Sequence, residues 1–262
     1  MQRTARLLMH VAGIALASVA AGVRAETADD PWPSLVHDLF ADRVLNEDNA
    51  VELDAPKRAE DAAIVPVTMR FTVPGLRKAT LVIDQNPMPV AGAFTFGDKA
   101  GVTFISTRLR VNSYTNVHAV AETADGALHA QVKFVKAAGG CSAPASKNED
   151  EAMAHLGEMR YREFKSADPG LREAQIMIRH PNSSGMQMDQ LTHLYVPARY
   201  VDRVIVRQGD DVIFAMEGGI SLSENPTFRF SYAPNGAKTI KVEAHDSKGE
   251  SFSQEFPAGE GS

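Results

Sequence analysis

Short segments in which apolar and polar residues alternate constrain the fold of this chain more than any other feature of its sequence. Six such segments follow one another between residues 65 and 135: VPVTMRFTV, KATLVID, PVAGAFTF, VTFISTRLRV, TNVHAVAET and LHAQVKFV. A period of two is typical of strands that bury one face, and Pro-Gly, Asn-Pro, Gly-Asp and Asp-Gly pairs mark the turns between them. Short strands at this spacing predict an antiparallel β-sandwich.

A second strand-rich region begins after the helix breaker SADPG at residues 166–170. Its segments are EAQIMIRH, VDRVIVRQGDDVIFAME, TFRFSYAP and KTIKVEAHDSKGESFSQEF. Residues 208–211 and 246–249 have the composition of hairpin turns. The pattern therefore predicts a mainly β chain with two sandwich domains of about 100 residues each, joined near residues 138–170.

Two amphipathic helices are expected outside the strands. The first covers residues 33–45, with Ser34 as a candidate N-cap and Leu35, Leu39 and Val44 on one face. The second covers residues 147–164, and the acids of residues 149–151 suit its first turn because the helix dipole favours negative charge there.

The N-terminus has the pattern of an export signal. Arg3 and Arg6 precede an apolar run over residues 7–23, and small residues before and at Ala25 suit cleavage after Ala25. The alternative is an uncleaved membrane anchor. Without an Arg-Arg pair ahead of the run, the general secretory route and a periplasmic location are expected.

The net charge argues against nucleic acid as a partner. The formal charge is -6, and loss of residues 1–25 removes three arginines and no acid, which makes it -9. Binding to phosphates requires clustered Lys and Arg, and the sequence has no basic run. Once the signal is removed, no other segment is apolar and long enough to expect a membrane partner.

The chain has a single cysteine, Cys141, which excludes an intramolecular disulfide. It follows the strand LHAQVKFV and the residues AAGG, and it precedes SAPAS. Small and flexible residues on both sides predict an exposed thiol in a linker. Lys136 and Lys147 are close in sequence and are candidates for lowering its pKa. Such a thiol is either incidental or functional.

Patterns of known catalytic sites are missing from the sequence. It contains no G-x-S-x-G, no H-E-x-x-H and no C-x-x-C. His118 and His129 could face one another on neighbouring strands, and His180, Asp189 and His193 are close in sequence, but this spacing does not predict a metal site. The prediction is a protein that is not an enzyme and has no metal or cofactor.

Several segments together resemble the sulfur-carrier pair SoxY and SoxZ of bacterial thiosulfate oxidation. In the first half these are LDAPKRAEDAAIVPV, NPMPVAGAFTF, TRLRV and VKFVKAAGGCSA, the last of which is similar to a SoxY ending with Gly-Gly-Cys-Gly-Gly. In the second half HPNSSG, VPARYVDRVIVRQGDDVIF, NPTFRFSY and VEAHDSKGES resemble SoxZ in order and spacing. The arrangement also resembles a SoxYZ-like carrier group that is associated with quinoprotein dehydrogenases.

The resemblance implies an immunoglobulin-like sandwich in each half and a carrier role. Residues 1–25 would be the signal peptide, 26–141 a SoxY-like domain, 142–170 a linker and 171–262 a SoxZ-like domain that pairs with the first. Cys141 would be the attachment thiol for a sulfur intermediate, and Gly139 and Gly140 its flexible arm. Residues 137–140 could extend by about 13 Å, at ~3.3 Å per residue, towards periplasmic oxidoreductases that act on the intermediate.

Two features depart from the family pattern. Cys141 is internal here, and Ser142, Ala143 and Pro144 replace the terminal Gly-Gly. The arm is then a loop that is tethered at both ends, unless the linker is cleaved. Two other hypotheses stay open: an immunoglobulin-like binding or chaperone module for an exported dehydrogenase, with an incidental thiol, and a thiol enzyme, which would need a base beside the sulfur.

Overall fold

The computed structural model describes residues 30–144, 153–190 and 192–259. The elements that lie wholly within these residues are one α-helix and fifteen strands: α1 Trp32–Phe40, β1 Leu45–Asn46, β2 Val51–Asp54, β3 Val65–Phe71, β4 Leu76–Ile83, β5 Val90–Phe96, β6 Phe104–Leu109, β7 Thr115–Thr123, β8 Leu128–Val135, β9 Met159–Phe164, β10 Arg172–Ile178, β11 Val201–Gln208, β12 Asp211–Gly218, β13 Thr227–Tyr232, β14 Thr239–Asp246 and β15 Ser251–Pro257. The expectation of a mainly β chain is confirmed. All six alternating segments of the first half form strands, β3 to β8, and the two hairpin turns lie where they were predicted.

The strands form two sheets that both contain strands from the two halves of the chain. The larger sheet has nine strands in the order β1-β8-β7-β4-β5-β12-β11-β14-β15, and the smaller has six in the order β2-β3-β6-β13-β10-β9. The halves meet edge to edge at two antiparallel pairs, β5 with β12 and β6 with β13. Edge strands with free backbone groups pair readily, and here each half covers an edge of the other.

Aromatic side chains fill the core at this junction. Phe94 of β5 packs against Phe214 of β12 and Phe228 of β13, with ring centroids 6.1 Å apart in each pair. All three rings are buried. Because large aromatic rings contribute much of the apolar area that leaves water on folding, this cluster makes the two halves depend on one shared core.

The N-terminal helix is shorter than the sequence pattern predicted. It begins at Trp32 rather than Pro33, without a side-chain cap from Ser34, and it ends at Phe40 because Ala41 takes a left-handed conformation and donates its N–H to the His37 carbonyl. Phe40 packs with apolar residues of β7 and β8. The helix therefore covers the outer face of the larger sheet.

The predicted helix over residues 147–164 is wrong in its second part. Met159–Phe164 form β9, which pairs with β10 along its whole length, and Met159 is buried. Pairing with a sheet edge outweighs the moderate helix preference of Met, Arg and Glu at these positions. Met153 and Ala154 are helical, as predicted, whereas residues 147–152 lie outside the described residues.

None of the helical segments in residues 30–144, 153–190 and 192–259 has the length and apolar character that crossing a bilayer requires. The export signal predicted over residues 1–25 lies outside the described residues and stays a prediction.

Candidate functional site

The segment that carries Cys141 leaves β8 and is fastened to two other parts of the first half. Its first residue, Lys136, accepts the Ala59 N–H at 3.1 Å and donates its own N–H to the Lys57 carbonyl at 3.0 Å. Ala137 is buried against the core. The chain after β8 therefore continues as an ordered segment rather than as a free linker.

Gly139 and Gly140 are packed by backbone hydrogen bonds. Their N–H groups donate to the carbonyls of Asn112 at 2.8 Å and Val111 at 3.0 Å. Gly139 has a φ of 75°, which costs residues with a side chain about 1–2 kcal/mol. A Cβ on Gly140 would collide with the carbonyl oxygens of Ala62 and Val111, so only glycine fits this close approach.

The expectation of an exposed thiol is wrong for this conformation, because Cys141 is fully buried. The sequence neighbours of Cys141 are small, as predicted, but the covering atoms come from other segments of the chain. Burial raises the pKa of the Cys141 thiol, and the positive charge of Arg110 opposes this shift. The protonated, less reactive form is therefore favoured here.

Arg110 is a cation of the site that sequence reasoning did not suggest, whereas Lys147, one of the two suggested lysines, lies outside the described residues. Its side chain is only 2% exposed, and Nη1 donates to the Gly140 carbonyl at 3.2 Å. The preceding strand β6 ends at Leu109, where the chain bridges to Leu222. Because the strand ends there, Arg110 does not share the half-exposed face of Arg108, and its guanidinium turns to the interior.

A loop from the second half closes the site from another direction. The Ser184 hydroxyl donates to the Cys141 carbonyl, and the Ser184 N–H donates to Gln187 Oε1 at 3.0 Å. Asn182 anchors the loop, since it donates to the Leu222 carbonyl and accepts from the Val201 N–H, both at 2.9 Å. The Cys141 site therefore lies at the junction of the two halves.

Three of the histidines considered as candidates, His118, His129 and His180, have separate structural partners. His118 contacts Asp84 at 3.1 Å, His129 contacts Asp48 at 2.8 Å, and the buried His180 lies 3.5 Å from Asp246. His118 is opposite Val132 in the β7–β8 pair, so it does not face His129. Within the described parts of the chain, no three His, Cys, Asp or Glu side chains are grouped in a way that could hold a metal.

Sequence reasoning did not identify Arg110, Ser184 and Gln187 as site residues. Strict alternation would place Arg110 on the half-exposed face of Arg108, but Arg110 lies beyond the end of β6. In the polar run HPNSSG, His180, Asn182 and Ser183 are all buried. The run itself was a signal for a buried polar loop, because consecutive small polar residues can form with the protein the hydrogen bonds that an exposed loop forms with water.

Two models of known protein families match the chain. The family model "SoxY: Sulfur oxidation protein SoxY" matches residues 36–141, and "SoxZ: Sulphur oxidation protein SoxZ" matches residues 160–257. The chain belongs to the SoxY and SoxZ families. It joins a SoxY half and a SoxZ half in one polypeptide, and membership of these families supports a sulfur-carrier role.

Two solved structures were compared with the chain. The sulfur carrier protein SoxY from Chlorobium limicola f thiosulfatophilum is 25% identical, with a TM-score of 0.35, and the match covers 41% of this chain and 91% of that one. A beta-glycosidase from Bacteroides vulgatus is 10% identical, with a TM-score of 0.25, and the match covers 79% of this chain and 24% of that one. Among curated proteins no match was found.

The SoxY match ends on Cys141 itself, at the point where the SoxZ half contacts the arm through Ser184. The two matches are separated by residues 142–159, which include the undescribed residues 145–152. The boundaries proposed from sequence at residues 141 and 171 stay predictions.

Proposed function

We propose that this protein carries a sulfur intermediate covalently on Cys141 and presents it to separate enzymes in the periplasm, without catalysing a step itself. The observation that carries the proposal is that the SoxY match ends on the one cysteine of the chain. A thiolate can attack an activated sulfur and hold it in a bond that another thiol or enzyme can later break.

The packed arm supports a carrier that alternates between a closed and an open position. In the closed position, four hydrogen bonds hold residues 139–141: the donors are the Gly139 and Gly140 N–H groups, Arg110 Nη1 and the Ser184 hydroxyl. None of these four hydrogen bonds is part of a strand pair, so the arm can leave its position without breaking either sheet. Burial in the closed position would shield the sulfur from other thiols and from oxidants.

Fusion of the two halves has a physical consequence for such a carrier. A tether gives the two halves an effective concentration of the order of mM, so halves that have separated can pair again without having to find each other in solution. Because Cys141 is internal, an enzyme that acts on it must accept a loop and not a free chain end, unless the linker is cut first.

The intact mass of the protein, purified from its own organism without reductant, tests the proposal. We expect an excess mass that maps to Cys141 and disappears with reductant, and a start of the mature chain at Glu26. A Cys141→Ser variant should stay folded and abolish sulfur oxidation in a complementation assay, while Ser142→Ala, the neighbouring change, should retain it.

Two results would contradict the carrier. One is full pathway activity of Cys141→Ser. The other is an unmodified thiol in cells that are oxidising sulfur compounds. A binding or chaperone module would then explain the fold better, and its partner would be retained equally by the wild-type protein and by Cys141→Ala.

A further inference from the structure

Arg110 places a guanidinium group in the interior of the fold. It is only 2% exposed, and within the parts of the chain that the structure describes it forms no ion pair at 4.0 Å or less. Burial of a cation costs several kcal/mol. Such an arrangement persists in proteins when the charge has a use.

The hydrogen-bonding capacity of the guanidinium is also incompletely used. Nη1 donates to the Gly140 carbonyl, but Nε is buried and has no partner. An arginine can donate five N–H bonds in one plane, and an anion with several oxygen or sulfur acceptors would satisfy them. The carbonyl that it already contacts belongs to the residue before Cys141, so the free donor lies beside the arm.

The charges around Arg110 point to the sulfur of Cys141 as its counter-ion. Burial lowers the pKa of Arg110, and the negative form of Cys141 opposes this most strongly, ahead of Glu224 and Asp61. The effect is mutual, because Arg110 lowers the pKa of Cys141 against the effect of burial. With a neutral thiol, Arg110 keeps only the weaker attraction of Glu224 and Asp61, whereas a negative charge on the arm would add the strongest one.

We propose that Arg110 is an anion-binding site for the arm, which favours adducts on the Cys141 sulfur with negative charge at their outer end over adducts with positive charge there. The ligand class is therefore a sulfur adduct that ends in an anionic group with oxygen or sulfur acceptors. The inference rests on the carrier function for its biological meaning, but its chemistry can be measured on the purified chain without the natural cargo.

The first test is the pH dependence of Cys141 alkylation by iodoacetamide, followed by intact mass. Since the closed form dominates, the midpoint of the profile reports the pKa of the buried thiol. We expect Arg110→Met to raise this midpoint by about 1 unit or more. Arg110→Lys, which keeps the charge, should stay closer to wild type.

The second test compares two adducts of similar size and opposite charge. Sulfonatoethyl and trimethylammonioethyl methanethiosulfonate each form a disulfide with the Cys141 thiolate and release methanesulfinate. Tris(hydroxypropyl)phosphine, which attacks as a neutral nucleophile and is oxidised to its phosphine oxide with one water, then removes each adduct and restores the Cys141 thiol. We expect the sulfonate adduct of the wild-type protein to be reduced about fivefold more slowly than the ammonium adduct, and the two rates to converge in Arg110→Met.

Arg108→Met is the matched control, because Arg108 is two residues earlier, is half-exposed and donates to Thr227 Oγ1. It should change neither the midpoint nor the ratio. If Arg110→Met does not fold, Arg110→Gln replaces it, and circular dichroism and the melting temperature establish that each variant is native.

The outcomes separate this inference from the carrier function. An unchanged midpoint with equal reduction rates in wild type and Arg110→Met overturns the anion site, even if a native adduct is found on Cys141. A shifted midpoint and a charge-dependent reduction rate support the anion site, even if the protein from its own organism has no adduct and the carrier function fails.

Discussion

Replacement of Gly140 by alanine should force the arm open. An alanine Cβ would collide with the carbonyl oxygens of Ala62 and Val111, and both belong to backbone that is hydrogen-bonded within the fold. The closed position is then unavailable, whereas the sheets, which end at Val135 on this side, are not affected.

The size of the effect follows from what the wild-type arm loses on opening. Four hydrogen bonds hold it, at about 1 kcal/mol each, so closing is favoured by at most about 4 kcal/mol, or about a thousandfold. Because the thiol is fully buried, the closed form should make up at least roughly 90% of the molecules. At about 90% only a tenth of the molecules are open, so complete opening would raise the alkylation rate about tenfold, and this is the lower limit of the effect. We therefore expect Gly140→Ala to react with iodoacetamide between about ten and a thousand times faster than wild type.

Two glycine variants serve as comparisons. Gly139→Ala has room for its Cβ, which would lie 3.7 Å from Ser142 Oγ, but its φ is 75°. The resulting strain of about 1–2 kcal/mol should raise the rate by about 5- to 30-fold. Gly126→Ala has a φ of 86° and open space in the turn after β7, so it should lose stability without any change in alkylation.

The alkylation rate of the single cysteine under native conditions measures how often the arm is open, and the rate in denaturant is the reference for a fully exposed thiol. The reasoning is refuted if Gly140→Ala has a native melting temperature and reacts no faster than wild type. It is also refuted if the wild-type thiol reacts as fast in the folded as in the denatured chain.

Two further predictions concern stability. Phe94→Ala should lower the free energy of unfolding in urea by about 3–5 kcal/mol and still give one cooperative transition, because Phe94 packs on Phe214 of the other half. The control is Phe134→Ala, at a residue that is 50% exposed, which should change stability by about 0.5 kcal/mol. Two unfolding transitions for either variant would contradict the shared core. Burial lowers the pKa of His180, and the contact with Asp246 opposes this shift only in part. The His180 imidazole therefore binds a proton more readily in the unfolded chain than in the folded one. The contribution of neutral, buried His180 to stability is therefore complete above about pH 6.5 and declines as the pH falls below that value. Urea midpoints measured below about pH 6.5 should fall less steeply with falling pH in His180→Gln than in wild type. An equal pH dependence in the two proteins would contradict the assignment.

Local patterns determined the strands well. The alternation in residues 65–135 depends only on which residues face the core, so β3 to β8 could be predicted from the sequence. The hairpin turns at residues 208–211 and 246–249 followed from Gly and Asp, whose backbone preferences are local. Cys141, Gly139 and Gly140 were identified as candidate residues because their composition and the family resemblance coincide at that point.

Contacts between distant segments decided the rest. Met159–Phe164 has helix-forming residues, but a sheet edge was available and the segment became β9. The burial of Cys141 depends on Arg110 and Ser184, which are 31 and 43 positions away along the chain. Such contacts arise when strands of the two halves pair edge to edge, and no short window of sequence contains them. The sequence therefore determined the strands and the single thiol, whereas the tertiary structure alone placed that thiol in a closed site beside a buried cation.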